Sequence, residues 1–182
     1  MAKTEKKLTP GEVIHRRRAN LMIHQGYISL LLRCIMLTVV LVVLFTQVFL
    51  LVQARGNEMF PAIRDGDLVF AYRLQKVLMK NDVVVYRQNG AVRIGRVLGR
   101  SGDVIMLDDS GNLLVNGTNQ GGDILYPTYA KDNLTYPYVI PEGSCFLLGD
   151  YRTQCEDSRD FGAIALKDVE GKVITILRRR GI

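Results

Sequence analysis

The stretch DVVVYRQNGAVRI, from Asp82 to Ile94, decides the fold class of this chain. It joins two short runs of β-branched and aromatic residues through Asn89-Gly90. Valine, isoleucine and tyrosine favour strands, and Asn-Gly between two such runs is the strongest short-range signal for a hairpin. The stretch therefore predicts two antiparallel strands joined by a tight turn.

The same pattern continues on both sides of this hairpin. Glycine-containing turns separate further short apolar runs at residues 67–72, 104–107, 113–115, 144–148 and 173–177. Closely spaced strands of this kind indicate an antiparallel β domain. We predict a mainly β fold, an antiparallel sheet domain over residues 55–182, with an irregular excursion at about 118–141.

A long apolar segment precedes the β domain. Residues 34–54 include no charged side chain, and as a helix these 21 residues would extend roughly 31 Å, close to the thickness of a bilayer core. We predict one N-terminal transmembrane helix over residues 26–54. A cleaved secretory signal ending at Ala54 is the alternative, but the apolar run and the region before it are both longer than such signals require.

The basic character of the chain lies mainly before this segment. The first 33 residues hold seven of the 24 Lys and Arg, whereas from Arg55 onward 17 basic residues face 16 acidic ones. This asymmetry argues against nucleic acid as a partner. It also predicts a basic cytoplasmic tail over residues 1–25, and a single-pass protein of the cell membrane with its C-terminal domain outside the cytoplasm.

Histidine and cysteine limit the chemistry that the β domain can hold. Both histidines, His15 and His24, precede the apolar segment, so we predict no histidine-based metal site in residues 55–182 and no cofactor. Cys145 and Cys155 lie ten positions apart in that domain. An exported domain permits a disulfide between them, and two free thiols are equally compatible with the sequence.

Three motifs stand in order after the apolar segment. They are Gly56-Asn57-Glu58-Met59-Phe60-Pro61, then RIGRVLGRSGD over residues 93–103, then GDYRTQCEDSRDFG over residues 149–162. Their order and spacing resemble those of the type I signal peptidases, the Ser-Lys enzymes that remove leader peptides from exported proteins. The resemblance covers the apolar segment and essentially all of residues 55–182.

The resemblance places two unexpected residues at the catalytic positions. The family has a nucleophilic serine immediately before Met-x-Pro and a lysine base immediately before Arg-Val, and this chain has Glu58 and Gly95 there. Losing one member of such a catalytic set can lower turnover about a millionfold. We therefore predict a pseudoenzyme with no catalytic residues. The alternative is an active endopeptidase that cleaves signal peptides through an unconventional site, such as Glu58 beside Asp150 or Asp157.

The resemblance also implies a peptide-binding groove and a structural support for it. It implies that Asp157 pairs with Arg159 and with Arg96, and we expect Glu58 to lie near Arg96 and join this cluster. The predicted groove residues are Gly56, Asn57, Glu58, Met59, Pro61, Ile94 and Gly95, and the predicted support residues are Arg96, Cys155, Asp157, Ser158 and Arg159.

A narrower resemblance suggests a biological setting. Catalytically degenerate signal-peptidase-like proteins encoded with the pilus machinery of Gram-positive streptococci also have an acidic residue and a glycine at these two positions. That resemblance implies a non-catalytic chaperone or scaffold in sortase-dependent pilus assembly. Its partners would be pilin subunits, the pilin sortase and the lipid bilayer.

Overall fold

The structure, a computed structural model, describes residues 10–75, 77–120 and 126–178, with the backbone alone for residues 12–22. The chain divides between Thr46 and Gln47 into two compact units.

The described part of the N-terminal unit is helical: it belongs to helix α1, which spans Pro10–Val48 and whose last two residues fall in the C-terminal unit. Within it, Ile23–Val48 is long and apolar enough to cross a membrane, judged by length and composition. Pro10 suits the start of this helix, because proline is favoured in the first turn, where its missing N–H would have no helical partner. Residues 10–25 of the predicted tail are therefore helical, and residues 1–9 lie outside the described part of the chain.

The predicted helix boundaries of 26 and 54 are both wrong. Helix α1 begins earlier, at Pro10, and ends at Val48, while Phe49–Gln53 forms strand β1. An apolar run does not reveal by its periodicity where a helix gives way to a strand. Pairing with a second strand decides it here, because Phe49–Gln53 aligns antiparallel with Leu68–Tyr72.

The C-terminal unit is mainly β, and all strand pairs in its described residues are antiparallel, which confirms the predicted fold class. The short helix α2 spans Ser158–Phe161, and Leu166–Asp168 forms one 3₁₀ turn. The strands in the described residues are β1 Phe49–Gln53, β2 Leu68–Tyr72, β3 Val83–Gln88, β4 Ala91–Arg100, β5 Val104–Leu107, β6 Leu113–Val115, β7 Thr118–Asn119, β8 Tyr138–Val139, β9 Ser144–Leu148, β10 Ile164–Ala165 and β11 Val169–Leu177.

These strands form two sheets. The larger has the order β1-β2-β11-β3-β4-β9-β10, and the smaller has the order β7-β6-β5-β8. The predicted hairpin is β3 and β4, in register from Val83 opposite Arg96 to Gln88 opposite Ala91. Strands β7 and β8 fall within the predicted excursion at 118–141, of which residues 121–125 lie outside the described chain.

One hydrophobic cluster ties the segment after β1 to the hairpin. Met59 and Ile63 are buried against Val85 of β3 and Ile94 of β4. Burial of side chains of this size contributes on the order of 1.5–3 kcal/mol each. The cluster therefore fixes the position of Glu58, the residue before Met59, relative to strand β4.

Candidate functional site

Glu58 lies in a turn between β1 and β2 that packs on the core. The Ile63 N–H donates to the carbonyl of Met59 at 2.9 Å, and both side chains are almost fully buried. The Gly56 N–H donates to Asp65 Oδ1 at 2.7 Å, with Gly56 at a positive φ of 75° that glycine adopts readily. The turn thereby holds Glu58 with its side chain half-buried beside strand β4.

Glu58 pairs with Arg93, not with Arg96 as we expected. Arg93 Nη1 donates to Glu58 Oε1 at 3.0 Å, and its other terminal nitrogen forms an ion pair with Glu156. Arg93 is reached because it lies on the part of β4 nearest the groove, whereas the Arg96 side chain pairs with Asp150. One arginine therefore joins the first motif to the third.

Burial raises the pKa of the Glu58 carboxyl above its ordinary value. Desolvation is the largest cause, the neighbouring Arg93 guanidinium opposes it, and the nearby Glu156 and Asp157 add to the rise. A carboxyl group with a raised pKa beside a specific charged partner is a candidate functional group.

Tyr86 lies against Gly95. A Cβ atom added to Gly95 would lie 3.1 Å from Tyr86 Cε1 and 3.4 Å from Leu147 Cβ. Tyr86 is only 1% exposed, and burial with the nearby Glu58 raises the pKa of its phenol well above the usual range. A neutral aromatic ring therefore occupies the space beside the position at which the family pattern has lysine.

A buried ion pair between Asp157 and Arg159 holds the third motif, as the resemblance implied. Arg159 Nε donates to Asp157 Oδ1 and Arg159 Nη2 to Asp157 Oδ2, both at 2.9 Å, and each side chain is 2% exposed. Ser158 Oγ accepts from the Leu147 N–H at 3.0 Å. The ion pair holds the motif together, and the bond from Leu147 fastens it to strand β9.

Arg96 supports the same motif through a different acid from the one expected. Its Nε and Nη2 atoms donate to the two carboxylate oxygens of Asp150 at 2.7 and 2.6 Å. Arg96 lies opposite Leu148 in the pairing of β4 with β9, so Asp150 follows two residues later within its reach. The expected pairing of Arg96 with Asp157 is therefore corrected to Asp150.

The first and third motifs also meet through their backbones. The Tyr151 N–H donates to the Glu58 carbonyl at 2.9 Å. A Cβ atom at Gly149 would lie 2.6 Å from that carbonyl oxygen and 2.7 Å from Cys155 Cβ. Glycine at 149 therefore allows a close approach that any larger residue would prevent.

Both cysteines of the β domain are free thiols. Cys145 and Cys155 are buried, and burial raises the pKa of each thiol to about 12. The Cys155 thiol donates to Asp157 Oδ2 at 2.9 Å. At neutral pH both remain protonated, so neither is a ready nucleophile. Within the described residues no cluster of three histidine, cysteine or acidic side chains is arranged to hold a metal ion.

A groove of about 680 Å³ runs beside Glu58. Four of the predicted groove residues line it, namely Gly56, Glu58, Met59 and Ile94, whereas Asn57, Pro61 and Gly95 do not. Sequence reasoning missed the rest of the lining, because residues of β1 were assigned to the membrane helix. The lining residues that were not predicted are Leu50, Leu51, Val52, Gln53, Ala54, Arg55, Ile63, Arg73, Arg87, Gly90, Ala91, Val92, Arg93 and Glu170.

The groove lies between two strand edges that have no partner in the described residues. Strand β1 is the outer strand of the larger sheet. The Ala54 N–H donates to the Asp67 carbonyl, so alternation directs the backbone groups of Gln53 and Leu51 away from β2. On the other side, β4 pairs with β9 only from Arg96 onward, which leaves the edge of its first half open.

A sequence model of the family "Signal peptidase, peptidase S26" matches residues 27–177. The chain belongs to the signal peptidase S26 family. Relatives include a signal peptidase IB of Staphylococcus aureus, 30% identical over an alignment of 139 residues that covers 65% of this chain and 72% of that protein. A signal peptidase I of Bacillus caldolyticus is 28% identical over 134 residues, 65% of this chain and 73% of the relative.

A further relative and a solved structure also match. A probable thylakoidal processing peptidase 2 of Arabidopsis thaliana is 32% identical over an alignment of 133 residues that covers 65% of this chain but only 35% of that protein. The crystal structure of a signal peptidase I from Enterococcus faecalis V583 shares 27% identity, covers 54% of this chain and 97% of its own, and superposes with a TM-score of 0.44.

The prediction of a pseudoenzyme is wrong. The chain belongs to a peptidase family, and its matched relatives are named as signal or processing peptidases. Glu58 and Gly95 remove the Ser-Lys pair of the family pattern, but other titratable groups surround the same groove. The absence of the Ser-Lys pair therefore does not establish that catalysis is lost.

Proposed function

We propose that this domain binds an extended segment of an exported polypeptide in the groove and hydrolyses it as a signal-peptidase-type endopeptidase. The observation that carries the proposal is the pair of open strand edges that face one another across the groove. A peptide between them would gain main-chain hydrogen bonds from both sides, as in recognition by strand addition.

The backbone of β1 supplies the first set of hydrogen bonds. The N–H and carbonyl groups of Leu51 and Gln53 point away from β2 and carry no hydrogen bond within the described residues. At about 3.3 Å per residue, the five residues of β1 extend roughly 17 Å. That length accommodates about five residues of an extended peptide.

Glu58 is the group that we assign to the chemistry. Its carboxylate accepts a proton from a water molecule as the water oxygen attacks the scissile carbonyl carbon, and it returns that proton to the departing amine as the C–N bond breaks. A raised pKa makes the carboxylate a stronger base than an exposed glutamate. Arg93, 3.0 Å away, keeps it oriented.

Cleavage of a precursor peptide by the purified full chain in detergent micelles tests this assignment. Glu58→Gln keeps the size of the side chain but cannot accept the proton, so we expect turnover to fall by about 10²–10⁴-fold. Glu142→Gln, an exposed carboxylate outside the groove, is the matched control and should retain full turnover.

Two results would reject parts of the proposal. Equal turnover by Glu58→Gln and the unchanged chain would remove Glu58 from the chemistry. Peptide binding without cleavage, at a detection limit well below ordinary family turnover, would leave the binding function and reject hydrolysis.

The setting that we propose is pilus assembly at the cell membrane. An acid at 58 and a glycine at 95 are the features that support it, through the resemblance to pilus-associated members of the family. In this setting pilin subunits are the bound polypeptides, the pilin sortase is a neighbouring enzyme, and the basic N-terminal segment keeps that end in the cytoplasm. Deletion of the gene should block pilus polymerisation; normal polymerisation would reject this setting.

A further inference from the structure

We infer that the groove selects extended peptides that carry acidic side chains near both ends of the bound segment. The inference rests on the proposed binding of a polypeptide in this groove and states which polypeptides the groove prefers. It follows from the charges that line the groove and from where they lie along strand β1.

Arginine dominates the charged lining. Arg55, Arg73, Arg87 and Arg93 line the groove, against the two acids Glu58 and Glu170. Both acids are already paired with an arginine. Opposite charge across an interface favours partners of complementary charge and suppresses partners of like charge.

The two ion pairs inside the groove leave two arginines without an acidic partner. Arg87 pairs with Glu170 at 2.6 Å, and Arg93 pairs with Glu58 at 3.0 Å. Within the described residues, neither Arg55 nor Arg73 forms a salt bridge, and both side chains are exposed. Two guanidinium groups are thus available to a ligand.

These two arginines mark the ends of the strand to which the peptide would pair. The Arg73 N–H donates to the Val48 carbonyl at 2.9 Å, directly before β1, and Arg55 comes two residues after its last residue. Arg55 stands seven positions after Val48, and a step of seven residues along an extended chain is about 23 Å. A peptide strand of about eight residues therefore brings a side chain close to each guanidinium group.

A carboxylate suits these positions because guanidinium groups bind it through two parallel hydrogen bonds. The pairs would be solvent-exposed, so each strengthens binding by up to about fivefold. Two such pairs predict a preference of up to about 25-fold for an acidic peptide over its uncharged counterpart.

The test compares two labelled ten-residue peptides by fluorescence anisotropy with the full chain in neutral detergent micelles. One has glutamate near each end, and the other has glutamine at the same positions. We expect the glutamate peptide to bind more tightly, with a preference that shrinks between 50 and 500 mM salt, since screening weakens exposed pairs.

Variants at Arg55 and Arg73 test whether these two side chains cause the preference for the glutamate peptide. Arg55→Gln and Arg73→Gln should each lower the preference about two- to fivefold, and the double variant should abolish it while the glutamine peptide binds as before. Arg100→Gln, an exposed arginine outside the groove, is the matched control and should leave the preference unchanged.

Three results would overturn the inference. Equal binding of both peptides by the unchanged chain would show that the groove does not select charge, while the proposed peptide binding would stand. Binding of neither peptide would reject both. Variants that weaken binding only to phosphatidylglycerol vesicles would assign Arg55 and Arg73 to a lipid surface.

Discussion

Replacing Arg159 by methionine should cost this domain a large part of its folding free energy. Arg159 donates to both oxygens of Asp157 and to the backbone carbonyls of Arg152 and Tyr129. Methionine removes all of these bonds and leaves the carboxylate of Asp157, which is 1% exposed, without its counter-charge. Breaking one side of a buried pair costs about 3–5 kcal/mol, out of the roughly 5–15 kcal/mol that stabilises an ordinary domain.

That loss can be measured as a shift in the unfolding temperature. At roughly 3 °C per kcal/mol for a domain of this size, we expect the Tm to fall by about 9–15 °C. The chain has no tryptophan, so far-UV circular dichroism of the full chain in detergent is a suitable probe. Arg87→Met is the matched control, because its ion pair with Glu170 has a guanidinium side chain that is 52% exposed. It should cost less than about 1 kcal/mol.

A double variant separates the charge effect from lost packing. Asp157→Asn combined with Arg159→Met removes both charges, so no buried carboxylate is left uncompensated. We expect the double variant to be more stable than Arg159→Met alone. The reasoning is refuted if Arg159→Met costs no more than Arg87→Met, or if the double variant loses the sum of the two single losses.

Three further predictions concern the same site. Gly95→Ala should lower the free energy of unfolding by about 1–2 kcal/mol, because the new methyl meets the Tyr86 ring at 3.1 Å; an unchanged urea midpoint would contradict this. Burial raises the folded-state pKa of Glu58 above its ordinary 4.5. The stability that the protonated Glu58 carboxyl contributes is therefore fully present below pH 4.5 and is lost as the pH rises through the folded-state pKa. The unchanged chain should therefore lose stability relative to Glu58→Gln between pH 4 and pH 8, and thermal melts showing the opposite sign would be decisive against it. Iodoacetamide at pH 8 should modify Cys145 and Cys155 only after denaturation, since burial raises the pKa of both thiols to about 12; mass spectrometry that finds either alkylated in the folded protein would disprove it.

The β domain was predictable from sequence where its signals are local. Asn89-Gly90 and the valines of β3 contain the whole hairpin signal within a few residues, and the structure has the hairpin in that place. Strand β1 was not predictable in the same way. Phe49–Gln53 continues an apolar run, and its strand conformation depends on pairing with β2, more than ten residues away.

The candidate site was likewise predictable only where its signals are local. Glu58 and Gly95 could be found because each stands at a fixed place in a short motif. Their partners could not, since Arg93 and Arg96 are equally plausible from sequence and differ only in which acid the folded strand brings near. Arg93 pairs with Glu58 and Glu156, and Arg96 pairs with Asp150.

Glu58, Gly95 and Tyr86 are best understood together. The missing side chain at 95 does not leave an empty space, because the Tyr86 ring lies 3.1 Å from where a Cβ would be. A lysine restored at 95 would meet that ring before it reached Glu58, and a serine at 58 would lose the ion pair with Arg93. The groove therefore holds its own acid and arginine, Glu58 and Arg93, and the Tyr86 ring lies beside position 95. Its chemistry must be tested at Glu58, since the Ser-Lys pattern alone does not decide it.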